Sequence, residues 1–187
     1  MPGETVLDLG SGSGMDAFVA AVQVSPRGRV IGIDITPDQL AQARMLATEH
    51  GIGNATFEEG RIEQLPLEDS CIDAVISNGV INLVPDKELV FREAARVLRP
   101  GGRLAIADIV TDAALTEAIV ADVDLWASCI GGAPQQATYL EMLERAGLRV
   151  AQVKTNPYEF LSAQARAASE RFGVQSVSVL ARLEPAP

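Results

Sequence analysis

Five short apolar runs rich in valine and isoleucine, Thr5–Leu9, Arg29–Asp34, Ala55–Glu58, Ile72–Ser77 and Arg103–Asp108, alternate along the chain with segments of helical periodicity. Parallel neighbours need long crossover connections, so this alternation predicts βαβ units and a largely parallel sheet. Thr36–His50 carries a helix start in Thr36 as N-cap, Pro37 at the first helical position and Gln39 at capping-box spacing, and Gly51 ends it. A further helix opens at Asp86, with Leu89, Val90, Ala94 and Val97 on one apolar side. Arg96 and Arg99 stand at its negative dipole end, and "RPGG" breaks it into the fifth strand.

Beyond Asp108 the pattern predicts a helical stretch over Ala114–Ser128, the interruption "CIGGAP" and a helix near Gln136–Ala146. Strands near Arg149–Thr155 and Gln175–Leu183, joined by a mobile alanine-rich segment Ser162–Phe172, would give the sheet an antiparallel edge. No repeat and no linker divides the chain, which reads as one domain over residues 1–187.

Composition narrows the ligand class. With 48% hydrophobic residues and no run of about 18 apolar residues, a buried core is expected and a membrane span is not. A net charge of −10 without a Lys/Arg cluster argues against a nucleic-acid groove or an anionic membrane surface, both of which need concentrated positive charge, and favours a small-molecule partner. Cys71 and Cys129, far apart and without zinc spacing, give no disulfide framework. Together with the lack of a signal-peptide pattern, they fit a reducing cytoplasm. His50, at a helix C-terminus, complements the dipole and is assigned no catalytic role.

The stretch "VLDLGSGSG" is a strand entering a glycine turn that opens a helix. Gly10, Ser11, Gly12 and Gly14 let backbone approach a ligand, and the helix start offers free N–H donors. The third glycine of a dinucleotide fingerprint is replaced by Met15, and Asp8 places within the strand a carboxylate that repels pyrophosphate. Asp34, closing the second strand, can accept both hydroxyl hydrogens of a ribose; its alternative is to cap the following helix, a part Thr36 already fills. A nucleoside with a cationic, phosphate-free extension is expected, and S-adenosylmethionine meets each requirement.

Through "VLDLGSGSG", the acid in "IGIDIT" and "VLRPGG", the chain resembles the class I S-adenosylmethionine-dependent methyltransferases. Through "GRIEQLPL", "ISNGVINLVPDK" and "CIGGA" it is similar, within that class, to the arsenite methyltransferases. The resemblance implies a doubly wound, Rossmann-like α/β fold with a mostly parallel seven-stranded sheet and an antiparallel edge strand. The cofactor half would span about residues 1–110 and the acceptor-side elements about 111–187. It further implies that Asp8, the glycine turn, Asp34, Ile35, Ile62, Glu63, Ser77 and Asn78 hold the cofactor, released as S-adenosylhomocysteine. Asn78 and Asn82 would face the transfer site and Cys129 would bind arsenic. Asparagines that only bond loop backbone are the alternative for Asn78 and Asn82.

The chain also departs from that family. Gly79 occupies a position commonly cysteine there, and the late family cysteine falls near Val174. Cys71, leading into a strand, reads as a core residue. With one matching thiol left, an external thiol such as glutathione would have to complete the sulfur ligation of a soft As(III) centre. An upstream reading frame adding a cysteine would strengthen the arsenic reading. Methyl transfer is an in-line displacement in a shielded site and needs no dedicated acid or base. The expected function is methyl transfer to a small acceptor, possible acceptors being trivalent arsenic or an organic molecule; a cofactor-binding module without turnover is the third alternative.

Overall fold

The computed structural model describes residues 1–127, 129–160 and 162–184. Its strands are β1 (Thr5–Leu9), β2 (Arg29–Asp34), β3 (Ala55–Glu59), β4 (Ile72–Asn78), β5 (Leu98–Val110), β6 (Leu148–Thr155) and β7 (Gln175–Leu183). Its helices are α1 (Met15–Val24), α2 (Pro37–Glu49), α3 (Lys87–Val97), α4 (Glu117–Val120), α5 (Val123–Ala127), α6 (Gln136–Arg145) and α7 (Ala163–Phe172). The strands form a seven-stranded sheet in the order β3-β2-β1-β4-β5-β7-β6, parallel except that β7 runs against both β5 and β6.

The winding reverses between β1 and β4. In an open α/β sheet that reversal opens a crevice beyond the strand C-termini, where ligands bind. β1 is buried along its whole length because helices cover both of its faces. Side chains alternate across a strand. Val6 joins Ala17, Ala21, Leu40 and Phe57 in the core under α1 and α2, while Leu7 and Leu9 join Val90, Phe91 and Tyr139 under α3 and α6. A third cluster, with Ile109, Leu125, Ile130, Phe160, Ala168 and Phe172, closes the far end of β5.

Several local expectations are corrected. Ser162–Phe172 is not a mobile connector. The Ser162 hydroxyl accepts from the Ala165 N–H at 3.1 Å and starts α7, which buries Ala165, Ala168 and Phe172; alanine is the strongest helix former, so the same composition favours order here. The stretch from Ala114 divides into α4 and α5 because the Asp122 carboxylate accepts from the Leu125 N–H at 3.0 Å and caps a new helix. Ser128 lies outside the described residues. On α3, Phe91 takes a core place and Leu89 is exposed. "RPGG" sits inside β5 as a bulge, since Leu98 pairs with Ile72 and pairing resumes only at Arg103 with Ala74. Among the described residues no helix is long and apolar enough to cross a membrane.

Candidate active site

The glycine turn is stitched to the neighbouring strand. Gly10 and Ser11 both donate to the Ile33 carbonyl, at 2.8 and 3.0 Å. Gly14 stands at φ 93° as N-cap of α1, where a Cβ would come within 2.8 Å of Phe18 and 2.9 Å of Phe57, so the ring pair behind the turn leaves no room for a side chain. Asp34 accepts from the Gly12 N–H at 2.9 Å through Oδ2 and from the Thr36 N–H at 2.8 Å through Oδ1. This corrects the expected capping: Thr36 occupies the N-cap position, but its hydroxyl makes no capping bond, and Asp34 holds its N–H. Each Asp34 oxygen keeps lone-pair capacity for a further donor.

Asp8 lies beneath this turn, 2% exposed, with Oδ2 lacking any partner. Burial first, then the charge of Asp16 and more weakly that of Asp34, push its carboxyl up to about 7, against the pull of the Ala17 N–H. The buried Ser11 hydroxyl is also without a partner. Buried polar atoms are normally paired, so two orphaned acceptors at one turn mark a place where a ligand donor belongs. A cation would satisfy them and draw Asp8 back to its ionised form; a phosphate would do neither.

Beside the turn runs a cleft of about 260 Å³, lined by Gly10, Asp34, Ile35, Ile62, Glu63 and Val80 among others. Five of the expected cofactor residues therefore meet in one cavity. Ile62 is anchored in the main core. Glu63 is paired with Arg61 at 2.6 Å. Ser77, buried, donates to the Leu9 carbonyl at 3.0 Å, and Asn78 donates from its amide to Asp16 Oδ2 at 3.1 Å, tying the end of β4 to the first turn of α1.

Past Asn78 a second cavity, of about 210 Å³, is lined by Asn78, Gly79, Asp108, Cys129, Tyr158 and Ser176, with two further residues of β5. Cys129, at φ 59°, donates its thiol to the Gly79 carbonyl at 3.2 Å. Burial and then the Asp108 charge push that thiol above its ordinary value, so it is protonated at neutral pH. Asp108 is itself pushed up to about 6 by burial, while bonds from the Ile109 N–H and the Tyr139 hydroxyl, and the charge of Lys87, work the other way.

Asn82 is placed differently from the expectation. It is fully buried, and its amide donates to the Ile109 carbonyl at 2.6 Å and the Cys129 carbonyl at 3.3 Å. It pins the Cys129 loop to β5 rather than lining the cavity. Gly132 completes the pin: a Cβ there would stand 2.0 Å from the Asn82 carbonyl oxygen. Cys71 donates to the Glu68 carbonyl and packs against the main core, away from Cys129. Among the described residues no group of three or more His, Cys, Asp or Glu is arranged to hold a metal ion. Sequence reasoning missed Asp16, Asp108 and Tyr158. The first-turn position of Asp16 was a readable signal; nothing local marks Tyr158.

Comparison with known proteins agrees with this geometry. The family described as a methyltransferase domain matches residues 1–147. The arsenite methyltransferase of Halobacterium salinarum is 44% identical over 163 residues, 86% of this chain and 42% of that protein. The arsenite methyltransferase of Homo sapiens is 43% identical over 137 residues, 68% of this chain and 36% of that protein. The crystal structure of CrArsM, an arsenic (III) S-adenosylmethionine methyltransferase from Chlamydomonas reinhardtii, superposes with a TM-score of 0.83 at 36% identity, covering 100% of this chain and 65% of that one. The chain thus spans less than half the length of these curated relatives.

Proposed function

The chain belongs to the methyltransferase domain family, and from that premise we propose that it binds S-adenosylmethionine between β1, β2 and β4 and transfers the methyl group to trivalent arsenic. The observation that carries the cofactor reading is the orphaned Asp8 Oδ2 under a turn whose other acid, Asp34, keeps acceptor capacity toward the cleft. When bound, the cofactor supplies a methyl group activated on a sulfonium centre. Asp8 and Ser11 would take the donors of its amino-acid part, Asp34 the ribose hydroxyls, and Ile62 and Glu63 the base. Asn78, held by Asp16, lines the second cavity and would orient the acceptor for in-line approach.

For the acceptor, the support is the Cys129 thiol turned into a small cavity next to Asn78, together with the arsenite methyltransferase relatives. Binding would condense Cys129 Sγ–H with an As–OH group to an S–As bond and water, and an external thiol such as glutathione would complete the sulfur ligation. That this cavity holds a single thiol favours, as a second reading, a small organic acceptor. Asp34→Ala should weaken cofactor binding by about 1.5–3 kcal/mol, the range for bonds to a charged group, measured by calorimetry; unchanged affinity would remove Asp34 from the site. Mass spectrometry of products from arsenite and monomethylarsenite, with glutathione present, separates the acceptor readings, and Cys129→Ser should abolish arsenical methylation while leaving cofactor affinity in place.

A further inference from the structure

Resting on the assignment of the Cys129 cavity to an arsenic acceptor, we propose that Tyr158 is a specificity-determining residue whose ring forms the outer wall of that cavity and favours a trivalent arsenical bearing an apolar substituent over arsenous acid itself. The cavity, about 210 Å³, is smaller than those that take drug-sized ligands. Its lining mixes Asn78, Asp108 and Ser176 with Gly79, Ala107 and Ile109 around the Cys129 thiol, and Tyr158 is its one aromatic member. An apolar substituent on an arsenic held by Cys129 finds its largest flat apolar surface on the exposed Tyr158 ring.

Tyr158 is 61% exposed, yet its segment is held on both sides. On one side Asn156 donates through its backbone N–H to the Ser176 carbonyl at 2.8 Å and through its amide to Ser176 Oγ at 3.2 Å, while Ser178 donates back to Asn156 Oδ1 at 3.1 Å. On the other side the Tyr158 ring meets Phe160 edge-on, with centroids 4.9 Å apart, and Phe160 is buried in the third hydrophobic cluster. An aromatic ring fixed at a cavity mouth but left in water gains by covering apolar surface on a ligand. Its hydroxyl makes no bond among the described residues, so the ring, not the hydroxyl, carries the preference.

Trp126, the only tryptophan of the chain, reports on this site without any need for turnover. Its carbonyl accepts from the Cys129 N–H at 2.9 Å. In a Cys71→Ser background, tryptophan fluorescence is titrated with arsenous acid and with phenylarsonous acid in the parent and in its Tyr158→Phe, Tyr158→Ala and Cys129→Ser variants. Tyr158→Ala is expected to weaken the phenyl compound roughly tenfold or more and arsenous acid by less than about threefold, with Tyr158→Phe close to the parent. Equal effects of Tyr158→Ala on the two compounds, or none, overturn the role of Tyr158 alone. No signal from either compound in the parent, or a signal that survives Cys129→Ser, overturns the arsenic assignment of the cavity and this proposal with it; intact cofactor binding by calorimetry shows that the protein is folded in that case.

Discussion

On the β1–β2 side of the cleft, Asp8, the glycine turn and Asp34 come from one continuous stretch between Asp8 and Thr36, with the turn hydrogen-bonded to Ile33 and Asp34 immediately beside it. On the β5–β7 side, Asp108, Cys129, Tyr158 and Ser176 are drawn from four separate segments: pairing of β5 with β7 brings Asp108 and Ser176 together, Asn156 ties the Tyr158 segment to Ser176, and Asn82 and Gly132 lock the Cys129 loop against the end of β5. The first side is stabilised by its own backbone; the second depends on buried contacts made at a distance. Damage to those contacts should disturb acceptor handling and leave cofactor handling nearly intact. The converse should hold for Asp8.

The largest effect is expected at Asp8, and it depends on pH. Its carboxyl is held at about 7 when folded, above the unfolded value of about 3.9. Its contribution to stability is therefore complete below about pH 4 and is lost as pH rises through about 7, a difference on the order of 4 kcal/mol. Asp8→Asn should stabilise the ligand-free protein at pH 8 by up to that order, have little effect at pH 4, and weaken S-adenosylmethionine binding. Chemical denaturation at the two pH values, with calorimetry, checks this, and equal stability changes at both would show that Asp8 is not the titrating group.

Gly132→Ala comes next. The added methyl has to displace backbone, not a flexible side-chain tip, at a cost of about 3 kcal/mol. Methyl transfer should fail while the dissociation constant for S-adenosylhomocysteine stays within about twofold. A matching loss of cofactor affinity would erase the contrast between the two sides. Asn82→Ala should cost about 1–3 kcal/mol, because it leaves the carbonyls of Ile109 and Cys129 buried without their donor. Here Cys129 should react faster with a thiol reagent in a Cys71→Ser background, as its loop loosens from β5. The smallest effect belongs to Arg61→Ala. The Arg61–Glu63 pair is exposed at the Arg61 end, so its removal should change stability by less than about 1 kcal/mol, and freeing Glu63 should shift cofactor affinity only slightly.

The same contrast explains what could be read from the sequence. The β1 strand, the glycine turn and Asp34 form a local code, in which each residue type answers a requirement set by neighbours a few positions away. The positions of the strands follow from the apolar runs, whereas the doubly wound order whose reversal places the cleft was implied by the family resemblance alone. The β5–β7 side was harder to read. Asparagine bonds equally well to a ligand or to loop carbonyls, and only the tertiary fold decides that Asn82 does the latter. Thr36 carries the residue type of a cap, but Asp34 reaches its N–H first. The alanine-rich segment looked mobile because alanine has no side chain to announce a contact, yet that smallness lets α7 pack closely. Tyr158 reaches Cys129 through the placement of β7, which no local pattern announces.

That placement also orders the events of folding. β6 is synthesised before β7 but touches the sheet only through it, since β7 occupies the position between β5 and β6. On the ribosome, β1 to β5 can assemble as they emerge, whereas β6 has no neighbour to pair with, and β5 shows an open edge, until β7 has been made. The third hydrophobic cluster, which draws on Phe172 and Val174 just ahead of β7, has to wait as well. A nascent chain paused before Gln175 would hold a formed glycine turn beside an unformed Cys129 cavity, with an exposed strand edge inviting mispairing.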